Sequence, residues 1–389
     1  MKVLISGAGV GGLAAARALI ADGHDVTVFE QAAELRQGGA AVTLWSNGTG
    51  VLSELGVPLD GVGAPIDVLE TRDRRGRPLV SIDVAPAAAR YGHPHVCLPR
   101  ARLLDLLAAD LAPGTIAFGR TAKSAADAGE AAGERDAAVR VTFADGGTAQ
   151  GDLLIAADGR GSALRDQLWG ADPGRPTGWA TWQGVSPLPI DITASRSSVL
   201  LVGKPGSCGL MPCGDGLLQW WFDLRWPPGT PPPVKPVAML RERFGDWASP
   251  VREVLAAVTD DETGFFPHTR HRVPRTWGSG RITVIGDAAH SMPPTRAQGA
   301  NQALEDAWAL AAALRNAAGP GRRPDTAATL RSFERSRSRK ASVVSRQAGT
   351  EDYNRYGAVL SRLLPAPLAS RYYTRWLRQI STYLDPVAN

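Results

Sequence analysis

The sequence is poor in cysteine, lysine and histidine, and these shortages exclude several kinds of site. It has 389 residues, with three cysteines, six histidines and 43 basic residues of which only five are lysine. The cysteines are Cys97, Cys208 and Cys213. They form no CxxC pair, and an odd trio is a poor disulfide framework. Because no acidic motif accompanies the histidines at ligand spacing, we expect no metal site.

Long apolar runs are also absent, except for one N-terminal stretch that could be either a signal peptide or part of the folded domain. Residues from Met1 to Ala21 resemble a signal peptide, but the glycines and Arg17 within them fit a strand, a turn and a helix better. No other stretch approaches a membrane span. The net charge of +5 is small and spread along the chain, which favours general solvation over nucleic-acid binding. We expect a soluble, cytoplasmic monomer or homodimer with no nucleic-acid partner and no stable membrane insertion.

The N-terminal segment predicts a βαβ unit. Val3–Ile5 is a short apolar strand, a glycine turn follows, a helix extends over Val10–Asp22, and Val26–Phe29 forms a second strand. This order places the chain in the α/β class. A chain of this length, with 44% apolar residues, predicts two or three domains with buried cores.

The turn in this unit has the pattern GxGxxG. Gly7 allows the tight turn, Gly9 lets the backbone approach a pyrophosphate, and Gly12 lets the helix pack on the strand. The free N–H groups and the positive dipole end of the helix favour phosphate. Glu30 ends the second strand, where a carboxylate accepts hydrogen bonds from ribose hydroxyls. The unit therefore predicts a dinucleotide with an unphosphorylated ribose, FAD or NAD.

Two further motifs follow strands later in the chain. Asp158 and Gly159 come after an apolar strand, and Asp158 is either a turn or cap residue or a functional one. Asp287 follows a second such strand and Gly286, and its carboxylate can accept hydrogen bonds from a polyol. A helix predicted to begin near Gly299 offers its N-terminus to an anion.

The remaining segments differ in character. Residues 121–140 are rich in alanine, glycine and charge and predict an exposed loop, while 139–150 alternate around Asp145-Gly146-Gly147 as in a hairpin. Residues 173–274 are rich in proline and tryptophan and predict an antiparallel sheet inserted into the α/β unit. The amphipathic tail, 341–389, predicts packed helices rather than a membrane-surface segment.

In this order and spacing the three motifs resemble those of the FAD-dependent aromatic hydroxylases, the class A flavoprotein monooxygenases with the p-hydroxybenzoate hydroxylase fold. Residues 38–48 and Leu210-Met211-Pro212 resemble the urate and salicylate hydroxylase-like members. The resemblance implies a Rossmann-like FAD-binding domain with an inserted antiparallel β-sheet substrate domain and C-terminal helices. The implied divisions are 1–70, 98–172 and 275–340 for FAD, 71–97 and 173–274 for substrate, and 341–389 for the helical segment.

The resemblance also assigns residues to FAD. Those implied are Gly7, Gly9, Gly12 and Glu30 for the ADP half, Arg36 and Arg100 for phosphate or ribityl oxygens, Asp158 near the pyrophosphate, Asp287 for the ribityl chain, Gly299, Ala300 and Asn301 for the isoalloxazine, and Pro294 at its oxygen-reacting face. Two positions depart from the family. Ala297 stands where Gly-Gln-Gly is frequent, which bears on flavin movement. No arginine aligns within Gly203–Gly209 to hold an anion, so urate itself is not predicted.

The implied reaction uses NADH or NADPH and O₂ to insert one oxygen atom, through a flavin C4a-hydroperoxide, into an electron-rich aromatic or polycyclic molecule. Hydroxylation, epoxidation and Baeyer–Villiger oxidation all remain open, with natural-product biosynthesis as one setting. The lysines and Trp179–Val185 do not fit a flavin halogenase. A flavoprotein reductase or saturase and a redox-silent FAD-fold binding protein stay as alternatives.

The tryptophan cluster suggests a large, flat, apolar substrate, although a single tryptophan more often fills a core. The candidate pocket residues are Trp45, Trp182, Met211, Trp220 and Phe266. His268 is the candidate base that would make a phenol more nucleophilic, against a structural role for the same side chain. No side chain is expected to perform the oxygen transfer itself.

Overall fold

A five-stranded parallel sheet organises the cofactor half of the protein. The computed structural model describes residues 1–35, 40–127, 139–188, 191–318, 325–351 and 365–385. The strands lie in the order β18 (Ile282–Val284), β12 (Leu153–Ala156), β1 (Lys2–Ser6), β2 (Asp25–Phe29) and β8 (Ile116–Ala117). Helices α1 (Val10–Ala21) and α9 (Gly299–Ala317) pack on each other, so closely that a Cβ at Gly11 would lie 3.4 Å from that of Ala303. The predicted βαβ unit and α/β class are confirmed.

A seven-stranded sheet forms the second large layer. Its order is β17 (Gly264–Arg270), β13 (Arg175–Pro187), β16 (Leu217–Arg225), β15 (Gly206–Gly214), β14 (Ser197–Val202), β5 (Val68–Asp73) and β6 (Pro78–Asp83). Neighbours are antiparallel except β5 and β14, which are parallel. Helices α6 (Pro236–Phe244) and α7 (Val251–Ala257) supply side chains to a core on one face of this sheet. The other face is turned towards the cofactor half. The predicted antiparallel sheet is confirmed, and the exact domain boundaries stay a prediction.

Two small antiparallel sheets complete the strands. One contains β3 (Ala41–Leu44), β7 (Val96–Pro99) and β4 (Ala64–Pro65); the other contains β9 (Ala122–Asp127), β10 (Val139–Phe143) and β11 (Thr148–Gly151). The β10–β11 hairpin confirms the sequence prediction. The expected loop over 121–140 is wrong at its start, because Ala125 pairs in β9 and exchanges two hydrogen bonds with the amide of Gln167. The rest of that loop, 128–138, lies outside the described residues.

The other helices surround the two large sheets. They are α2 (Ser46–Glu54), α3 (Ala85–Tyr91), α4 (Arg100–Ala108), α5 (Ala163–Trp169), α8 (Asp287–His290), α10 (Thr326–Ala348) and α11 (Ala366–Ile380). Helix α11 buries Tyr373, Leu377 and Ile380 in a cluster with Trp45, as the prediction of a packed tail requires. Within the described ranges, no helix combines the length and apolar character needed to cross a bilayer.

Candidate active site

The glycine turn after β1 is shaped for a bound phosphate. A Cβ at Gly7 would lie 2.4 Å from the carbonyl oxygen of Ala157, and one at Gly12 would lie 1.9 Å from that of Gly7. Both glycines are therefore required by close backbone packing. A Cβ at Gly9, at the N-terminus of α1, would meet nothing within 4 Å. The helix N-terminus thus opens onto free space, as a pyrophosphate site needs.

Glu30 is held at the edge of this turn. Its two carboxylate oxygens accept hydrogen bonds from the backbone N–H groups of Ala8 at 2.8 Å and Ala32 at 2.9 Å. Each carboxylate oxygen has a further acceptor site. The geometry fits a role in which Glu30 fixes the turn and still accepts from a ribose hydroxyl.

Asp158 carries the clearest sign of an absent polar ligand. Its Oδ1 is buried and finds no hydrogen-bond partner among the described residues. Burial raises the pKa of this carboxyl, against hydrogen bonds from Ser162 and the backbone. An unsatisfied buried acceptor beside Gly7 fits a polar cofactor group. Arg100 begins α4 and is half-buried, while Arg36 lies outside the described residues.

The predicted flavin loop connects α8 to α9. Asp287 is exposed at the first position of α8, and a Cβ on Gly299 would lie 3.9 Å from its Oδ1. Pro294 is exposed at the start of the short 3₁₀ turn between them. Ala297 has φ 47° and ψ 40°, a left-handed conformation that favours glycine. The loop thus places Asp287 close to Gly299, with Pro294 between them in sequence, and their role at a flavin stays a prediction.

Asn301 ties this loop to its neighbours. Its side-chain oxygen accepts from the N–H of Trp45 at 2.9 Å, and its amide nitrogen donates to the carbonyls of Thr43 and Ala297, also at 2.9 Å. The side chain is fully buried and engaged in these contacts. The Asn301 side chain is therefore not available to a flavin, and the expected role of the Ala300 and Asn301 backbone stays a prediction.

A buried charge network supports the loop from behind, and sequence reasoning missed it. Arg337 of α10 donates to Glu305 and to Asp306, each at 2.8 Å. Asp306 also accepts from the N–H of Gly286 at 2.9 Å and lies 2.6 Å from Nε2 of His290. Burial opposes charge at Asp306, but the positive charges of His290 and Arg337 outweigh it and lower its pKa. The network therefore fixes the position of Gly286, the residue before Asp287.

The seven-stranded sheet presents a second set of side chains to the site. Alternate residues of a strand point to opposite faces. Trp182 and Trp220 are fully buried in the core formed with α6 and α7. Trp221 lies on the opposite face with Met211. The expectation that Trp182 and Trp220 line the pocket is therefore corrected, because both are core residues. Trp221 lies instead on the opposite face with Met211 and Cys213, and this face is called the pocket-facing surface below.

The other three candidate pocket residues lie outside the helix-covered core. Met211 accepts a hydrogen bond at its Sδ from the Thr43 hydroxyl at 3.1 Å, which joins the sheet face to the segment held by Asn301. Trp45 packs edge-on against His95 and Tyr373. Phe266 is half-buried with the guanidinium of Arg160 4.9 Å above its ring. The structure thus brings Met211 and Trp45 near the flavin loop. It places Phe266 near Arg160, which directly follows Asp158 and Gly159.

His268, the candidate base, lies in this face but not at its surface. Its side chain is fully buried, with Nδ1 2.8 Å from a Glu351 oxygen and Nε2 2.6 Å from the Thr181 hydroxyl. Both ring nitrogens are engaged, so His268 does not reach a substrate directly. Its neighbour Asp223 keeps some exposure and is a residue that the sequence analysis did not single out.

Comparison with known proteins matches this arrangement to a family. Residues 1–348 match the FAD binding domain family. The FAD-dependent urate hydroxylase of Klebsiella pneumoniae is 33% identical over 344 residues, covering 87% of this chain and 86% of that protein. Aurachin C monooxygenase/isomerase of Stigmatella aurantiaca is 32% identical over 317 residues, covering 81% and 80%.

A solved structure supports the same assignment. The crystal structure of Klebsiella pneumoniae HpxO complexed with FAD and uric acid superposes with a TM-score of 0.82 at 29% identity, covering 98% of this chain and 94% of that one. The glycine turn, the unpartnered Asp158 oxygen and the flavin loop are features of this chain that fit such a cofactor. On this sequence and structural evidence, the chain belongs to the FAD binding domain family and resembles its FAD-dependent monooxygenases along most of its length.

Proposed function

We propose that this FAD-dependent monooxygenase uses NADH or NADPH and O₂ to insert one oxygen atom into an electron-rich aromatic or heteroaromatic small molecule. One observation carries the proposal. Asn301, in the first turn of α9, donates to the carbonyls of Ala297 in the flavin loop and of Thr43, each at 2.9 Å, and the Thr43 hydroxyl donates to Met211 at 3.1 Å. Thr43 therefore links the flavin loop, where we place the reactive ring, to the sheet face where we place an aromatic substrate.

The chain's own residues bind and orient. Glu30 and the N-terminus of α1 are suited to the ribose and the pyrophosphate, and Asp287 to the ribityl hydroxyls. The N-terminus of α9 at Gly299 would stabilise negative charge on a bound flavin. Bound FAD supplies hydride acceptance and oxygen activation.

Water exclusion is the second task of the protein. The pocket-facing surface of the sheet carries Met211, Cys213 and Trp221, which contact Ala41, Ile66 and Cys97 of the cofactor half. Apolar surroundings keep water from a reactive oxygen donor and strengthen the polar contacts that remain. This surface fits an aromatic ring better than a sugar or a peptide.

The alternatives receive no support from the relatives. Similar proteins of bacterial origin are hydroxylases and monooxygenases by name, among them a 6-hydroxynicotinate 3-monooxygenase, and these names include no saturase and no redox-silent binder. We retain the cytoplasmic location, the monomeric or homodimeric state and the stated domain division as predictions.

The proposal is tested on the purified protein by a visible spectrum, followed by NADH or NADPH with a panel of phenols, purines and indoles. We expect flavin bands and faster oxidation of reduced nicotinamide with at least one compound. Asp287→Ala should raise the Kd for FAD about tenfold or more, because a charged hydrogen bond is lost. Asp261→Ala, at an exposed turn, is the matched control. Colourless protein that takes up no added FAD would refute the proposal.

A further inference from the structure

An acid–imidazole–acid cluster lies at one end of the pocket-facing surface, and the proposed reaction does not use it. The Thr181 hydroxyl donates to Oδ1 of Asp223 at 2.5 Å and lies 2.6 Å from Nε2 of His268. Nδ1 of His268 is 2.8 Å from Glu351. Since the hydroxyl has one proton and gives it to Asp223, it accepts from Nε2–H, and Nδ1–H donates to Glu351.

The cluster is built to hold Asp223 in place. Burial lowers the pKa of His268, but the hydrogen bond to Glu351 and the charge of Asp223 outweigh it, so the pKa is raised. The Thr177 hydroxyl donates to the same Glu351 oxygen at 2.8 Å. Glu351, His268 and Thr181 thus form a fixed chain of hydrogen bonds that ends on one oxygen of Asp223.

Asp223 is the most exposed of the three ionisable side chains in the cluster. Its side chain retains 10% exposure, whereas those of His268 and Glu351 retain none. Among the described residues, its second oxygen, Oδ2, accepts a hydrogen bond from the Ser207 hydroxyl at the long distance of 3.4 Å. A buried carboxylate whose outer oxygen is poorly satisfied favours a ligand that brings a hydrogen-bond donor to that oxygen.

A flat aromatic surface lies next to this oxygen. Trp221 is two residues before Asp223 on β16 and shares its face. A Cβ on Gly209 would lie 1.9 Å from the indole ring of Trp221, so the indole lies against the bare backbone of β15. A planar ligand stacked on Trp221 would present its edge to Asp223.

The acidic groups around Asp223 disfavour an anion, and the guanidinium on the same sheet face, that of Arg160, stacks over Phe266 at 4.9 Å. Burial raises the pKa of its carboxyl, and Glu351 raises it further, against His268 and the hydroxyls that lower it. Lys204, the basic residue of the strand-connecting segment before Ser207, is exposed. Arg225, the next residue on this face of β16, is exposed and stacks on Trp179 at 5.2 Å. Neither is placed by these contacts beside the open carboxylate oxygen.

We propose that Asp223 is the substrate-recognising side chain of this pocket, and that it selects a neutral or cationic aromatic molecule with an N–H or O–H donor over an aromatic anion. The inference rests on the proposed function for the presence of an aromatic substrate. Asp223 accepts the donor while Trp221 carries the ring. His268 and Glu351 are positioning residues that act through Thr181.

The test uses four ligands with one ring system: tryptamine, indole, 1-methylindole and indole-3-acetate. Each is titrated into the FAD-loaded enzyme, and binding is followed by the change in the visible flavin spectrum. We expect indole to bind about tenfold more tightly than 1-methylindole, which lacks the donor. Tryptamine should bind at least about tenfold more tightly than indole-3-acetate, because the two differ in the sign of the charge.

The variant Asp223→Asn removes the charge and keeps the shape. We expect the affinities of tryptamine and indole-3-acetate to come within about threefold of each other in this variant. Asp223→Glu keeps the charge and should again bind tryptamine more tightly than indole-3-acetate. Asp261→Asn is the control and should keep the wild-type ratio. Bound FAD per chain reports folding of each variant, and the wild-type ligand series decides the question even where a variant fails to fold.

Three results would overturn the inference. They are equal binding of tryptamine and indole-3-acetate to the wild type, an unchanged ratio in folded Asp223→Asn, and the absence of any spectral change with all four ligands at millimolar concentration. Failure of the proposed function looks different, because it shows as a chain that does not hold FAD or does not oxidise NADH or NADPH with any panel compound.

Discussion

Replacing Arg337 by methionine should destabilise the protein more than any surface change of the same kind. The guanidinium is fully buried and donates to Glu305, Asp306, the Thr382 hydroxyl and both oxygens of Gln302, at 2.7 to 3.1 Å. Burial works against its charge, but the two carboxylates outweigh it and raise its pKa. Methionine fills much of the volume and supplies none of these donors.

The magnitude follows from the carboxylates left behind. Removing one partner of a buried ion pair costs about 3–5 kcal/mol, because the remaining charge is neither solvated nor paired. A domain is stable by only about 5–15 kcal/mol, so the expected loss is a large share of the total. Asp306 would also lose a fixed position, and with it the N–H of Gly286 that precedes Asp287. FAD affinity should therefore fall together with stability.

The assay is urea unfolding of Arg337→Met and wild type, each with and without saturating FAD, together with the Kd for FAD. Arg315→Met is the matched control, since Arg315 pairs with Asp22 on the surface with 55% of its side chain exposed. That pair should contribute no more than about 1 kcal/mol. A loss below about 1 kcal/mol for Arg337→Met without FAD would refute the argument that the buried carboxylates depend on this cation.

Four further substitutions test other parts of the structure. Trp220→Ala should lower the free energy of unfolding by about 3–5 kcal/mol, because its side chain fills the core. Trp221→Ala should mainly raise substrate KM. A KM effect confined to Trp220→Ala would reverse the assignment of the two faces. Burial lowers the pKa of His95 to about 4. As pH falls from about 6.5 to 4, the unfolded chain therefore binds a proton that the folded chain does not, and about 3 kcal/mol of stability should be lost over that window. His95→Gln should remove this part of the pH dependence in urea unfolding, and an identical pH dependence would contradict the shift. Ala297→Gly should raise the free energy of unfolding by about 0.5 kcal/mol, because its φ of 47° strains alanine; a destabilised variant would show that the loop tolerates alanine without cost.

The cofactor half was predictable because its signals are local. Strand, glycine turn, helix and acid follow one another within the first 30 residues, and each has a conformational reason for its position. Asp287 and Gly299 likewise fall next to strand and helix ends that the sequence shows. The residues that follow parallel strands lie near one another because the carboxyl ends of those strands are at the same edge of the sheet.

The pocket was less predictable because its strands are aromatic on both faces. Trp220, Trp221 and Phe222 are consecutive, so alternation could not tell the core face from the open one, and only the pairing with β13 and β15 decides it. The cluster of Asp223, His268 and Glu351 joins residues far apart in sequence. Nothing in the local pattern around Glu351 indicates that it meets the sheet.

The contact of Thr382 with Glu305 and Arg337 bears on the order in which the protein is assembled during synthesis. The backbone N–H of Thr382 donates to Glu305 at 2.6 Å, and its hydroxyl accepts from Arg337. When the ribosome has made the glycine turn, both large sheets and the flavin loop, this acid and this cation still lack their last partner. The charge network behind the flavin loop therefore becomes complete only after residue 382 has left the exit tunnel, and a nascent chain should hold FAD more weakly before that point.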